Sequence, residues 1–516
     1  MFFESLNIGI WNVSVPKACF FLFLAWLGSQ VLLYIYRITL HPLARFPGSK
    51  LAGATYWYEY YFDVSKEGRY LWKIIEMHEK YGPLVRVNPN ELHASDPTYF
   101  AEIYHGTNII TDRDGWYNLD FLGAGLAFTL SHELHATRRA PLAPYFSAQS
   151  IRALEPRITN VVTRMMRRLD EFHTSGEVVN LYHMFAAYAL DIVTEYALGE
   201  DGSTNLMALP EMGRAWSEMT TMQIRNNPLG RHFKSMMRVM LVLPEWILVR
   251  IVPGLDGFVK YQDSLLRMTQ RVLRGNETGA GVLPNKRTIL HELAASPVLP
   301  APEKTLVRLK DEMNMVIAAG GETTAQTLTR TCYYVLSTPG VSARLKAELG
   351  SAMNDPDKIP SIDLLQNLPY LTAVVEEGLR ISFPVLARSP RVFRHHARRL
   401  GDWTVPPGMA ISMSPYLVLS NPDIFPDPFT FKPERWIDNP DIQKYRVTFG
   451  RGKRACLGKT LAYTELYFAI AMIFRKLELE LFDTTREDVE VVHDFFMGTA
   501  KSGSKGVRAR VVRLVA

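Results

Sequence analysis

The chain predicts a mainly α fold with small β-sheets, preceded by one N-terminal transmembrane helix. Three observations carry this expectation. Residues 18–36 form an uncharged, strongly apolar run. Residues 303–337 place Leu306, Leu309, Met313, Ile317 and Leu328 among the apolar positions of a long helical pattern. From Leu51 onward no linker, internal repeat, low-complexity tract or block of like charge separates independent units, so residues 51–516 read as one large domain.

The composition, 47% hydrophobic and 21% charged over 516 residues, is that of a globular protein with a large core. A formal charge of +6 suits an anionic partner surface better than nucleic acid. The three cysteines fall in unrelated settings: Cys19 in the leader, Cys332 in the long helical pattern, Cys456 near the C-terminus. That is no disulfide framework, and it points to a reducing compartment for the body of the chain. As a helix, the leader spans about 28 Å, roughly one hydrocarbon core. Arg37, Arg45 and Lys50 follow it, against Glu4 and Lys17 before it, which places the bulk of the chain on the cytoplasmic side. A cleaved signal peptide is the alternative; it calls for a shorter apolar region and a small-x-small cleavage site. Asn12 begins an Asn-x-Ser sequon on the lumenal side. Residues 1–36 are thus an anchor segment. Residues 37–50, with Pro42 and Pro47, break the helix and read as a stiff hinge.

Four constellations follow in chain order. His135 and Arg139, four apart within His-Glu-Leu-His-Ala-Thr-Arg-Arg, share one helix face; a solvated basic face is the alternative. Gly320 and Gly321 interrupt the long helix beside Glu322, Thr323 and Thr324. Each glycine costs about 1 kcal/mol relative to alanine. A helix tolerates that where its ladder must open or something must come close, and a tight helix crossing asks for the same residues. Glu377 and Arg380 are an i, i+3 pair, ordinarily worth little, followed by Pro433-Glu434-Arg435-Trp436. Last comes the pattern F-x-x-G-x-R-x-C-x-G, with Phe449, Gly452, Arg454, Cys456 and Gly458 at its fixed positions. It presents one thiol at the start of an apolar helical run, where the helix N-terminus and nearby cations favour a thiolate able to ligate a metal. A cysteine that merely packs is the alternative, and it does not require the other four residues.

This last pattern resembles the haem-binding loop of the cytochrome P450 family, and the others fall in that family's order along the whole chain. The resemblance implies the cytochrome P450 fold and haem (iron protoporphyrin IX) as cofactor, with Cys456 as axial thiolate ligand. Gly452 and Gly458 then allow close backbone approach to the macrocycle, Phe449 shields the sulfur from water, and Arg454 reaches a propionate. His135 and Arg139 are further propionate ligands, with His135 where the family often has Trp, and Arg391 falls where it places another propionate-binding Arg. A-G-x-E-T-T resembles the oxygen-binding motif: Thr323 hydrogen-bonds the dioxygen being activated, and Glu322 connects to a solvent proton path. Glu377, Arg380 and Arg435 form the family's buried structural triad. The aromatic run Tyr56-Trp-Tyr-Glu-Tyr-Tyr61 and the stretch from His78 to Pro83 resemble fungal members of secondary metabolism, of the trichodiene oxygenase type.

The chain has no G-x-G-x-x-G after a strand, so electrons must come from another protein. The resemblance implies NADPH–cytochrome P450 reductase in the same endoplasmic reticulum membrane, with cytochrome b5 as a second donor. Lys444, Arg446, Arg451, Lys453 and Lys459, joined by Arg138, are the expected cationic docking face; an ordinary solvated surface is the alternative. The apolar stretch 233–249 either dips into the bilayer or is a buried helix. Met315, Val316, Ala319 and residues 118–128 suggest an apolar pocket for a lipophilic small molecule. The expected reaction is monooxygenation of such a molecule, a terpenoid or a polyketide or polyketide–amino-acid hybrid. A haem-thiolate isomerase or dehydratase and a non-catalytic haem binder are the remote alternatives.

Overall fold

The apolar leader forms one helix, α1 (Val15–Thr39), in a computed structural model that describes residues 15–104, 109–119, 122–251, 256–277 and 288–514. The Asn12 sequon lies outside the described residues. Within α1, Pro16–Thr39 is long and apolar enough to cross a membrane, with a mean hydropathy of 2.0 and no part buried in the protein. The helix runs three residues past the apolar stretch, so the expected hinge begins only at Leu40. The segment is held against the body of the protein. Leu43 and Phe46 are buried, Arg86 donates to the Arg37 and Pro89 carbonyls, and the Arg86 N–H bonds the Pro47 carbonyl at 2.7 Å. Gly48 makes this contact possible: it has φ +149, and a Cβ there would lie 2.6 Å from the Arg86 carbonyl oxygen.

The main sheet is small, as expected. It joins β1 (Leu84–Asn88), β2 (Glu91–Ala94), β3 (Thr111–Arg113), β4 (Arg391–Phe393) and β5 (Ala410–Ser412) in the order β1-β2-β5-β4-β3. β2 and β5 are parallel and the other pairs antiparallel. The register of β3 on β4 sets Arg113 directly opposite Arg391.

Eight helices matter for the site. After α1 come α2 (His132–Leu142), α3 (Leu181–Leu198), α4 (Arg214–His232), α5 (Lys234–Leu241), α6 (Leu306–Ser337), α7 (Pro369–Ile381) and α8 (Lys459–Lys476). Side chains start several of them: Ser131 caps α2, Asn180 caps α3 and Thr305 caps α6, each accepting from a first-turn N–H, while α7 opens on Pro369. α3 and α8 are buried nearly all round, which is why their sequences are apolar without a polar face. α6 crosses α3 at close range. An added Cβ at Gly320 would sit 2.8 Å from Val193, and one at Gly321 2.5 Å from Leu190. The glycine pair therefore answers to this crossing, and α6 is assigned as a continuous α-helix through it.

A buried ionic network fastens the N-terminal part to the far end of α4. Arg388 donates to Glu91 at 2.6 Å and to Glu59 at 2.7 Å; Arg231, at the end of α4, bonds Asp63 and lies 3.4 Å from Glu59. The stretch after α4 lies on the surface, with Val239, Val242 and Trp246 all exposed, so the buried-helix alternative for residues 233–249 does not hold. Phe233 packs on Trp57 and Tyr60, and Trp57 and Tyr61 are exposed beside it.

Candidate active site

The loop ahead of α8 is closed by its own backbone: the Cys456 N–H donates to the Phe449 carbonyl at 2.8 Å, and Gly452 takes φ +71, a conformation that favours glycine. Cys456 stands two residues before Gly458, the N-cap of α8. Burial pushes its thiol pKa up; the Gly458 N–H, Arg139 and Lys459 pull it down. The residue keeps accessible surface although protein surrounds it, so the thiol opens on an internal chamber. Gly458 has φ −82 and a Cβ there would meet no protein atom within 4 Å, so neither backbone nor packing within the protein asks for glycine. Phe449 lies 5.3 Å from the Tyr463 ring, and with Cys456, Glu376, Arg446 and Lys459 these residues line a cavity of about 120 Å³.

Beside the thiol, positive charge accumulates without its counterpart. Burial holds the buried His135 down to about 3, and Arg454, Arg139, Arg113 and Arg391 push in the same direction, so the imidazole is neutral and ringed by four guanidiniums. Burial, then Arg391 and Arg454, lower Arg113 to about 9; burial and Arg391 lower Arg454 to about 10. Arg113 and Arg391, directly opposed on neighbouring strands, are a like-charge pair of the kind that ordinarily destabilises a sheet. The nearby carboxylates Asp112 and Glu133 offset it only in part: both act on Arg454, but less than burial and Arg391 do, and Arg394 binds both. Arg391 Nη1 is buried without a partner, and so is Arg454 Nε. Buried polar groups of this kind call for an anion. A group carrying two carboxylates, next to a thiol able to ligate metal, matches the donor set; haem fits.

The expected propionate ligands are not equivalent. Arg139 is half-buried and gives Nη1 to the Ala455 carbonyl at 2.9 Å. Arg454 spends three of its five N–H donors, from Nη1 and Nη2, on the carbonyls of Thr129, Leu130 and Ser131 at 2.7, 2.7 and 3.1 Å, so it braces the loop before α2 and keeps Nε and one Nη1 N–H for a ligand. Arg113 joins this cluster without any signal in the sequence. Its place follows from sheet register.

α6 exposes Ala318 and Ala319 in a stretch otherwise packed, with Thr323 half-exposed one turn on. Thr323 Oγ1 donates back to the Ala319 carbonyl at 2.9 Å. Residues 118–128, of which 120 and 121 lie outside the described residues, pack on the same helix: Leu126 N–H bonds Glu312, and a Cβ on Gly125 would lie 2.8 Å from Met315. Glu322 points elsewhere. It is buried, accepting from Tyr182 at 2.7 and 2.8 Å and from Gln326 at 2.8 Å.

Behind the thiol loop, Glu377, Arg380 and Arg435 meet. Glu377 takes two bonds from Arg380 at 2.8 and 2.7 Å, one from Arg435 at 3.1 Å, one from Trp436 Nε1 at 2.9 Å and one from the Lys432 N–H at 3.0 Å. All three side chains are buried, and the remaining guanidinium donors go to carbonyls of residues 419–430. Burial alone would raise the Glu377 carboxyl pKa, but the guanidiniums and the Lys432 N–H outweigh it and hold the group below its usual range.

The expected cationic face is smaller than the sequence suggests. Arg138 is paired with Glu303 at 2.7 Å and largely buried, and Arg446 is paired with Glu376 at 3.1 Å. Lys444, Lys453 and Lys459 are exposed, and Arg451 is half-buried.

Comparison with known proteins agrees with this geometry. The family model for Cytochrome P450 matches residues 54–501. The chain is 36% identical to the cytochrome P450 monooxygenase tpcC of Cochliobolus heterostrophus over 93% of its length and 94% of the relative's. It is 37% identical to the monooxygenase sdnE of Sordaria araneosa, covering 94% of this chain and 96% of that one. To the monooxygenase TRI4 of Trichoderma arundinaceum it is 35% identical over 90% of both. With Cys456 presented at a helix N-terminus and a cluster of guanidiniums in excess of its carboxylates beside it, the chain belongs to the cytochrome P450 family and is a haem-thiolate monooxygenase.

Proposed function

We propose that the protein oxidises a lipophilic intermediate of secondary metabolism, a terpenoid first among the candidates, taking electrons from NADPH–cytochrome P450 reductase in the endoplasmic reticulum membrane. Residues 1–36 anchor it, and residues 51–516 are the catalytic body on the cytoplasmic side. The observation that carries the reading is the set of Arg113, His135, Arg139, Arg391 and Arg454 around one site next to Cys456: four cations and a neutral imidazole, an excess of positive charge that a dianionic ligand would balance. When bound there through Cys456, haem supplies activation of O₂ and transfer of one oxygen atom to substrate.

The residues of the chain divide the remaining work. Gly458 N–H and Arg139 stabilise the thiolate, and Phe449 with Tyr463 limits water at the sulfur. Glu377, Arg380 and Arg435 hold the loop from behind. Thr323 offers a hydroxyl on the chamber side of α6, and Glu322 is the adjacent acid through which protons are replenished. The hydroxyl is held by the Ala319 carbonyl and must turn to donate into the chamber. A lipophilic substrate is favoured by the alanines exposed on α6 and by the apolar surface of Trp57, Val239, Val242 and Trp246, which suits a bilayer-facing entrance. Lys444, Lys453 and Lys459 suit an acidic flavoprotein surface.

The test is expression of the full chain with a reductase, supply of terpenoid and polyketide pathway intermediates, and mass spectrometry under ¹⁸O₂. One ¹⁸O atom in a product that depends on NADPH supports monooxygenation. Conversion of a substrate peroxide without reductase would favour the isomerase alternative, and haem binding without turnover of any intermediate the non-catalytic one.

A further inference from the structure

Glu322 and Thr323 are neighbours in sequence, yet they serve different sides of α6. Thr323 is half-exposed. Glu322 is buried where α6 meets the first turn of α3, and there a single hydroxyl, that of Tyr182, reaches both carboxylate oxygens, at 2.7 and 2.8 Å. Gln326, one turn along α6, adds one bond at 2.8 Å. Arg330, a turn further, is the other charged group that bears on the carboxylate, but its own donors go to the Ser382 and Gly498 carbonyls. Tyr182 is therefore the contact on Glu322 that comes from outside its own helix among the described residues.

We infer that Tyr182 is a positioning residue for Glu322: its phenol, carried by α3, fixes which way the carboxylate points. On the α4 side, Thr221 bears on the same phenol and pulls its pKa down, while its own hydroxyl donates to the Ser217 carbonyl at 2.8 Å. The inference rests on the proposed role of Glu322 in proton delivery and adds what sets that group. A phenol suits the task. Burial raises the Glu322 pKa, and the Tyr182 hydrogen bond is the first of the interactions that oppose it, ahead of Gln326 and Arg330. The phenol itself is held well above its usual pKa by burial and by Glu322, so it stays protonated and remains a donor.

The test uses the ferric holoenzyme and does not need turnover. In protein labelled with ¹³C-glutamate, infrared difference spectra against Glu322→Gln isolate the protonated carboxyl band of Glu322 and give its titration midpoint. Tyr182→Phe keeps the ring and removes the donor, so the midpoint moves up by about one pH unit, the tenfold change expected for losing one hydrogen bond to a charged group. Haem content stays the same. An unchanged titration midpoint overturns the inference. If the Phe variant loses haem, 3-fluorotyrosine at position 182 replaces it: the more acidic phenol must move the midpoint down, and no movement overturns the inference equally. The proposed role of Glu322 fails separately, if Glu322→Gln leaves the yield of product per NADPH intact.

Discussion

Arg139 on α2 donates from Nη1 to the carbonyl oxygen of Ala455, the residue before Cys456, at 2.9 Å. One side chain thus ties the cation cluster to the thiolate loop, and it also stabilises the thiolate by charge. Arg139→Ala removes a charge-assisted bond and leaves a carbonyl short of its donor, a loss of about 1.4 kcal/mol or more. Haem should dissociate about tenfold faster, read by transfer to apomyoglobin. Arg139→Lys keeps the charge but not the fork and should recover only part of the loss.

The Glu377 carboxylate answers two buried guanidiniums at once, so its removal is a different kind of damage. Glu377→Ala leaves Arg380 and Arg435 buried without an anion, at a cost of about 3–5 kcal/mol. The expected result is apoprotein or aggregate rather than altered product. Haem-to-protein ratio and thermal midpoint read it, and a variant with normal haem yield contradicts a structural role for the triad.

Two histidines far from the thiol give the fold a pH dependence. His78 Nε2 and His93 Nδ1 lie 2.8 Å apart, buried, with the Ser414 N–H bonded to the other His93 nitrogen. Burial lowers His78 to about 4, and burial with His78 and Arg388 lowers His93 well below 6.5. Both native values lie under the unfolded one, so below pH 6.5 the unfolded chain binds protons that the native pair refuses. The contribution is fully present above pH 6.5 and is lost as pH falls from there toward 4, by about 3 kcal/mol for His78 alone. Urea midpoints between pH 4.5 and 7.5 should fall with acid, and His93→Gln should flatten the slope.

What the sequence disclosed depended on how far apart the cooperating residues lie along the chain. The thiol loop and the Glu377–Arg380 pair are local patterns, because a helix N-terminus and an i, i+3 spacing are written into consecutive residues. Arg113 was not legible: it acquires meaning from standing across a strand pair from Arg391, and sheet register depends on the whole fold. Tyr182 was hidden in the same way, 140 residues from Glu322. For Arg138 and Arg446, charge alone does not reveal an ion-pair partner, and Glu303 and Glu376 supply one. The helix-crossing alternative for Gly320 and Gly321 proved the physical demand on those residues, with Val193 and Leu190 in the way of any side chain.

That crossing can be tested by filling it. Gly321→Ala sets a methyl 2.5 Å from Leu190 Cδ2, and the packed α3–α6 contact must part. Overpacking of this size costs about 1–3 kcal/mol. Leu190→Ala creates a cavity when made alone, but combined with Gly321→Ala it should cost clearly less than the sum of the two. A double-mutant cycle on thermal or urea stability measures the difference, and strict additivity contradicts direct contact.

Electron entry yields to the same treatment. Lys444, Lys453 and Lys459 are exposed near Cys456, whereas Arg446 is already neutralised by Glu376. If an acidic flavoprotein docks on this face, Lys453→Glu replaces an attraction by a repulsion on the rim of the contact. Such changes act on encounter rate and fade as the Debye length shrinks from about 30 Å at 0.01 M salt to about 8 Å at 0.15 M. Stopped-flow reduction by NADPH-loaded reductase should therefore be several-fold slower for Lys453→Glu at low salt and should converge on the parent rate as salt rises. Identical kinetics across the salt series place the docking surface elsewhere.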